Sequence, residues 1–176
     1  MESYSYSFIH SQNPEKLFNM KFDVIIGNPP YQMNDGGGTG SSAIPIYDKF
    51  IQTSKQLNPR YLSMIIPSRW FSGGRGLDSF REEMLNDKRI SVLCDFPNSS
   101  DCFSGVEIKG GVCYFLWEKI HSGECLVKTH KDGKVISEIK RPLLESGLES
   151  FIRYNESISI IRKVKKLNEE KFSKII

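Results

Sequence analysis

The stretch Phe22-Asp23-Val24-Ile25-Ile26-Gly27-Asn28-Pro29-Pro30-Tyr31 joins a short apolar run to a corner locked by two prolines. Residues 22–27 have the length and composition of a buried parallel strand, which is apolar on both faces. The corner that follows is unusually rigid. Proline fixes φ and carries no N–H, and Pro30 forces Pro29 into extended geometry. The side-chain oxygen of Asn28 and the carbonyl of Pro29 are therefore two hydrogen-bond acceptors held in a fixed relation, and Tyr31 sets a flat ring beside them.

Two fixed acceptors next to an aromatic plate suit a planar substrate that carries an exocyclic amine. Such an amine is a poor nucleophile because its lone pair is delocalised into the ring. Accepting one hydrogen bond at Asn28 and one at Pro29 draws the nitrogen toward tetrahedral geometry, so that its lone pair faces an electrophile. Because the acceptors are already aimed, little reorganisation accompanies the reaction. A methyl sulfonium needs no further activation, so neither a nucleophilic side chain nor a strong general base is required. Stacking on Tyr31 is worth roughly 1–3 kcal/mol for a nucleobase.

In these residues the chain resembles the N6-adenine DNA methyltransferases of restriction–modification systems. FDVIIGNPPYQ is similar to their Asn/Asp-Pro-Pro-aromatic motif, and the likeness continues through YLSMIIPSRWF, SFREEML and DCFSGVEIKGGVCYFLW, over about residues 20–120. The resemblance implies that Asn28, Pro29 and Pro30 hold the target amine, with Asn28 also next to the donor, and that Tyr31 stacks on one face of a flipped adenine. Phe103 resembles the aromatic that packs on the opposite face. Extruding a base costs a few kcal/mol, which a two-sided sandwich offsets. The implied co-substrate is S-adenosylmethionine and the implied partner is double-stranded DNA. Methylases of RNA guanine and of release-factor glutamine share the Asn-Pro-Pro-Tyr turn and stay open as alternatives. The polar continuation QMNDGGGTGSSAIPIYDKF favours a nucleic-acid substrate.

Outward from the corner, residues 32–43 are rich in Gly and Ser and read as a mobile loop. Tyr47, Phe50, Ile51 and Ser54 share one face of a helix expected across 44–57, ended by Asn58-Pro59. Leu62–Ile66 is a second strand, stopped by Pro67. Leu77, Phe80 and Met84 mark a helix over 76–87, and strands are expected at 90–95 and 111–118. Residues 123–138 alternate like a hairpin turning at Asp132-Gly133. Ile158, Ile161, Val164 and Leu167, set among lysines, define an amphipathic helix over 156–172.

This order gives an α/β fold, a sheet with parallel central strands and flanking helices. By resemblance it is part of a Rossmann-like class I methyltransferase sheet, strands four to seven of seven, the last antiparallel and inserted between its predecessors. A hairpin and helix extend it. The expected division is a catalytic half-domain over 1–120 and an extension over 121–176 that begins a target-recognition region.

Only twenty-seven residues precede Asn28, and none of them forms the glycine loop that grips the donor in the resembled fold. Gly36-Gly37-Gly38-Thr39-Gly40 comes after the catalytic turn and reads as a hinge. Ser72-Gly73-Gly74-Arg75-Gly76 lies between a strand and a helix and reads either as a solvated turn or as an anion site, with Arg69 and Arg75 near a phosphate backbone. The expectation is a fragment that binds the donor poorly alone and is inactive, completed by an N-terminal half or a restriction subunit, or dimeric through an exposed sheet edge. A non-catalytic, partner-binding remnant is the other possibility.

Composition adds bounds. The chain has 176 residues and a net charge of +3, mildly basic and compatible with DNA. Residues 140–176 hold nine lysines and arginines against five glutamates. Cys94, Cys102, Cys113 and Cys125 have neither zinc-finger nor thioredoxin spacing, and His10, His121 and His130 form no metal pattern. Reduced thiols, no signal peptide and no membrane-length apolar run point to the cytoplasm, bacterial by resemblance.

Overall fold

A computed structural model describes residues 4–33 and 43–167. The glycine-rich segment expected to be mobile falls mostly in 34–42, outside the described residues, as does the end of the C-terminal helix beyond 167. Two short helices, α1 (Tyr4–His10) and α2 (Glu15–Phe18), lead in. Strand β1 (Val24–Gly27) runs into the Asn-Pro-Pro corner. Beyond it β2 (Gln32–Met33) pairs antiparallel with β3 (Ile44–Pro45), so helix α3 (Tyr47–Gln56) starts three residues later than its sequence pattern suggested. Then come β4 (Tyr61–Pro67), a 3-10 turn at Ser68–Phe71, α4 (Asp78–Asn86), β5 (Ile90–Phe96), a 3-10 turn at Ser99–Asp101, and β6 (Val112–Glu118). Strands β7 (Cys125–Lys131) and β8 (Lys134–Arg141) and helix α5 (Glu156–Lys166) complete the order.

Six strands form one sheet in the order β1-β4-β6-β5-β7-β8. Strands β1 and β4 are parallel, as are β5 and β7. Strand β6 lies between β4 and β5 and is antiparallel to both. This is the inserted antiparallel strand the sequence implied. The hairpin also forms as expected. Asp132 and Gly133 both take positive φ, 51° and 71°, the backbone of a two-residue turn matched to strand twist. It is not a separate layer, since β7 hydrogen-bonds to β5 and continues the sheet.

One face of the sheet carries the main core. Leu62, Met64 and Ile66 of β4 alternate inward with Cys113, Phe115 and Trp117 of β6, and α3 and α4 cover them with Tyr47, Ile51, Phe80 and Met84. Each such buried side chain contributes roughly 1.5–3 kcal/mol of transfer free energy. On the other face Cys94, Phe96 and Val112 are roofed by the loop after β5 through Cys102, Phe103 and Ile108. The stretch after β8 returns to the main core. Buried Arg141 donates to Asn155 and to the carbonyls of Pro142 and Ile152, and Phe151 packs on Phe71 at 4.4 Å between ring centroids.

Two sequence expectations need correction. Strand β1 is not buried on both faces. It pairs only with β4 among the described residues, and Val24 and Ile26 are 50% and 78% exposed while Ile25 packs inward. An apolar run shows that a strand can be covered on both faces, not that anything covers it. Helix α5 is amphipathic, but only Ile158 at its start is buried, while Val164 and Leu167 are exposed. Farther along, the helix is held by polar contacts, Arg162 on Glu145 and Lys165 on the Ser146 carbonyl.

Candidate active site at the carboxyl ends of the parallel strands

In open α/β sheets, ligands collect beyond the carboxyl ends of parallel strands. Here those ends are Gly27 of β1 and Pro67 of β4, and the amino end of β6 meets them because Val112 pairs with Pro67. Asn28 leaves β1 at this end. Its side chain is exposed and has no hydrogen-bond partner among the described residues, and the Pro29 carbonyl accepts no backbone bond there. The Pro29 ring is buried and Pro30 is exposed, so the corner is anchored by one proline and open at its acceptors.

Tyr31 is half-buried and packs against the main core. Its carbonyl accepts from the Ile46 N–H at 3.2 Å, which ties the corner to the start of α3. Its hydroxyl is buried without a hydrogen-bond partner among the described residues. Burial, with smaller contributions from the Cys102 and Cys113 thiols, pushes its pKa up to about 12. A cleft of about 490 Å³ opens beside it. Pro30, Tyr31, Pro45 and Tyr47 line it together with Arg69, Arg75, Lys109 and Glu107. Burial also raises the pKa of the Tyr47 hydroxyl. The β2–β3 pair explains how Pro45 and Tyr47 arrive, since it closes the 34–42 excursion and returns the chain to Tyr31.

The predicted residues are thus only partly gathered. Tyr31 and Pro30 line the cleft, whereas Asn28 and Pro29 stand next to it in the chain without lining it. Phe103 lies elsewhere. It is half-buried against the cluster of Cys94, Phe96 and Val112, and its cluster neighbour Ile108 reaches the cleft. Sequence reasoning missed Tyr47, which read as an ordinary core position on a helix face, and Lys109, which was given no role. The Pro67 stop and the Gly110-Gly111 pair were the available signals for the cleft walls. Four cysteines are free, three of them buried, and no His/Cys/Asp/Glu group among the described residues could hold a metal. No described helix is long and apolar enough to cross a membrane.

A cleft next to the Asn-Pro-Pro corner, at the ligand-binding end of the sheet, is the placement expected of an amino-methyltransferase. Comparison with known proteins agrees: residues 1–103 match the family model of the Eco57I restriction-modification methylase, and the chain belongs to that family. It is 41% identical over 162 residues to an uncharacterized adenine-specific methylase of Mycoplasma pneumoniae, covering 85% of this chain and 38% of that protein. It is 33% identical over 105 residues to the type II restriction enzyme and methyltransferase RM.Eco57I of Escherichia coli, covering 50% of this chain and 10% of that one. In fold it is similar to a type I restriction-modification methyltransferase subunit from Streptococcus thermophilus, with a TM-score of 0.51 at 13% identity, over 93% of this chain and 35% of that one. The chain therefore spans well under half the length of these relatives.

Proposed function

We propose that this chain carries the base-holding half of a site that methylates adenine N6 in double-stranded DNA, with S-adenosylmethionine as donor. The reading rests above all on Asn28, whose side chain is exposed and unpartnered among the described residues at the end of β1, three residues before Tyr31 of the cleft. In this reading the Asn28 oxygen and the Pro29 carbonyl each accept one N6 hydrogen. Tyr31, which lines the cleft, supports one face of a flipped adenine. Phe103 would reach the other face only after a shift of the 99–110 loop.

The donor supplies an activated methyl group. Asn28 is the residue that would stand between donor and base, and its open side chain fits that position. The remaining grip on the donor is assigned to a polypeptide segment or partner subunit docking along β1, which pairs only with β4 among the described residues. The exposed Val24 and Ile26 support that placement, and they also suit pairing with a second copy or a restriction subunit.

The test incubates the full-length protein, with any partner subunit, with methyl-labelled donor and separate pools of DNA, RNA and release factor. Label recovered as N6-methyladenine in DNA supports the reading. Label confined to RNA or to protein glutamine would refute it.

A further inference from the structure

A second cleft, of about 480 Å³, adjoins the first. Arg69, Arg75 and Lys109 line both, so they form the wall between them. The second cleft has no carboxylate in its lining. Asp95 is fully buried and already engaged by Arg153 and Ser68, Asp78 accepts from the Gly74 N–H and pairs with Arg81, and Glu107, which lines the first cleft with the same three cations, forms no ion pair with them. Arg69, Arg75 and Lys109 themselves are exposed and have no carboxylate partner among the described residues. Unneutralised cations sharing one hollow repel each other, and they are tolerated where an anion completes the site.

The backbone at Arg75 points the same way. Arg75 has φ +51°, between Gly74 at +79° and Gly76 at +80°. Left-handed geometry costs a non-glycine residue about 1–2 kcal/mol, and the Arg75 side chain makes no hydrogen bond or ion pair among the described residues that would offset it. A glycine at 75 would suit this backbone better. The guanidinium is the gain that offsets the conformational cost.

We propose that this second cleft is a phosphodiester groove, holding the sugar–phosphate backbone of the strand whose base enters the Tyr31 cleft. This rests on the nucleobase reading of the first cleft. The chemistry matches: guanidinium and ammonium groups are donors only and phosphodiester oxygens are acceptors only. The geometry matches as well, because the two clefts share Arg69, Arg75 and Lys109, so a base in one and its backbone in the other would meet the same three cations. Arg153 is the positioning residue. Its pair with Asp95 fixes the floor where the 150–153 stretch meets the turn after β4.

The test is fluorescence anisotropy of the full chain with a labelled 12-nucleotide oligodeoxyadenylate across a salt series. Each backbone contact removed lowers the slope of log affinity against log salt by about 0.7. Arg75→Gly and Arg69→Ala are each expected to do so. The melting temperature of Arg75→Gly should be unchanged or higher, which a merely structural arginine would not give. Lys119→Ala, at the opposite end of β6, should leave the slope unchanged. No measurable binding, an unchanged slope in the Arg69→Ala/Arg75→Gly double variant, or equal affinity for a neutral methylphosphonate oligomer would each overturn the groove. So would displacement by equimolar inorganic tripolyphosphate, which would indicate a small-anion site. An abasic oligomer that binds as tightly as oligodeoxyadenylate, with the slope effects intact, would instead remove the nucleobase reading and leave the groove standing.

Discussion

Arg153 reaches back 58 residues to seat its Nε and an Nη on the two oxygens of Asp95, at 2.5 and 2.8 Å. Asp95 ends β5 fully buried and also accepts from the Ser68 hydroxyl at 3.0 Å. One carboxylate therefore joins the turn after β4, the end of β5 and the C-terminal stretch. Burial pushes its pKa up, against the pull of Arg153 and Ser68. Arg153→Met strands this carboxyl and is expected to cost about 3–5 kcal/mol at neutral pH. The sign with pH follows. A stranded, buried Asp95 has a folded-state pKa above its unfolded value of about 3.9, so stability is greatest in acid and falls as pH rises through the folded value. Urea titrations of the variant at pH 5 and pH 8 should show the lower stability at pH 8.

Asp87 should behave in the opposite way. It too is largely buried, which alone would raise its pKa. But it accepts from Arg89 and from the Trp117 indole and pairs with Lys55 at 3.0 Å, and these cations hold it well below the usual carboxylate range. A depressed folded pKa contributes stability above the unfolded value of about 3.9 that is lost as pH falls through the folded one. Asp87→Asn is therefore expected to destabilise by about 2–4 kcal/mol at pH 7, with the gap from wild type narrowing below pH 4. A constant gap from pH 7 to pH 3 in chemical denaturation would contradict this.

Gly111 has φ +82°, and a Cβ there would lie 2.2 Å from the Phe96 carbonyl oxygen and 2.7 Å from that of Pro97. Both obstacles are backbone, and the Gly111 carbonyl accepts from the Ser68 N–H at 3.0 Å. Gly111→Ala is expected to cost roughly 3 kcal/mol or more from strain plus displacement. Gly110→Ala, with φ +92° but open space around it, should cost less. Thermal melts of the pair would rank them, and a reversed order would argue against this packing.

The Tyr31 hydroxyl is buried without a described partner. Removing an unsatisfied polar group removes a desolvation cost, so Tyr31→Phe should leave stability unchanged or raise it by up to about 1 kcal/mol. A drop of more than 1 kcal/mol on denaturation would reveal a hydrogen bond that the structure does not show.

Asn28→Ala changes an exposed side chain without protein partners, so folding should be nearly untouched. In the full-length enzyme, losing one preoriented acceptor is expected to slow methyl transfer by roughly 10²–10³. Single-turnover rates on DNA measure it, and an unchanged rate would remove Asn28 from the mechanism.

Much of this was readable in the sequence, for reasons that differ by element. The face of α3 was legible because Tyr47, Phe50, Ile51 and Ser54 repeat at helical spacing, and all four are buried. Strand β4 was legible because a run of apolar residues ends at a proline. The exposure of Ile26 was not, since composition says nothing about what covers a strand. The place of Phe103 was not either: an aromatic in an irregular loop packs wherever the loop's backbone takes it. Arg153 was invisible because its partner is remote in sequence and neither residue belongs to a recognisable motif.

The position of β6 bears on how the chain acquires its shape. The central strand of the β4-β6-β5 trio is the last of the three to be made, and it brings Cys113, Phe115 and Trp117 to the main core. Until the ribosome has released residues 112–118, β4 pairs only with β1 and β5 has no sheet partner. Consolidation must then await a long-range closure, which is slow compared with local pairing. Nascent chains arrested before residue 112 should be protease-sensitive throughout, and those extended past 118 should gain protection in one cooperative step.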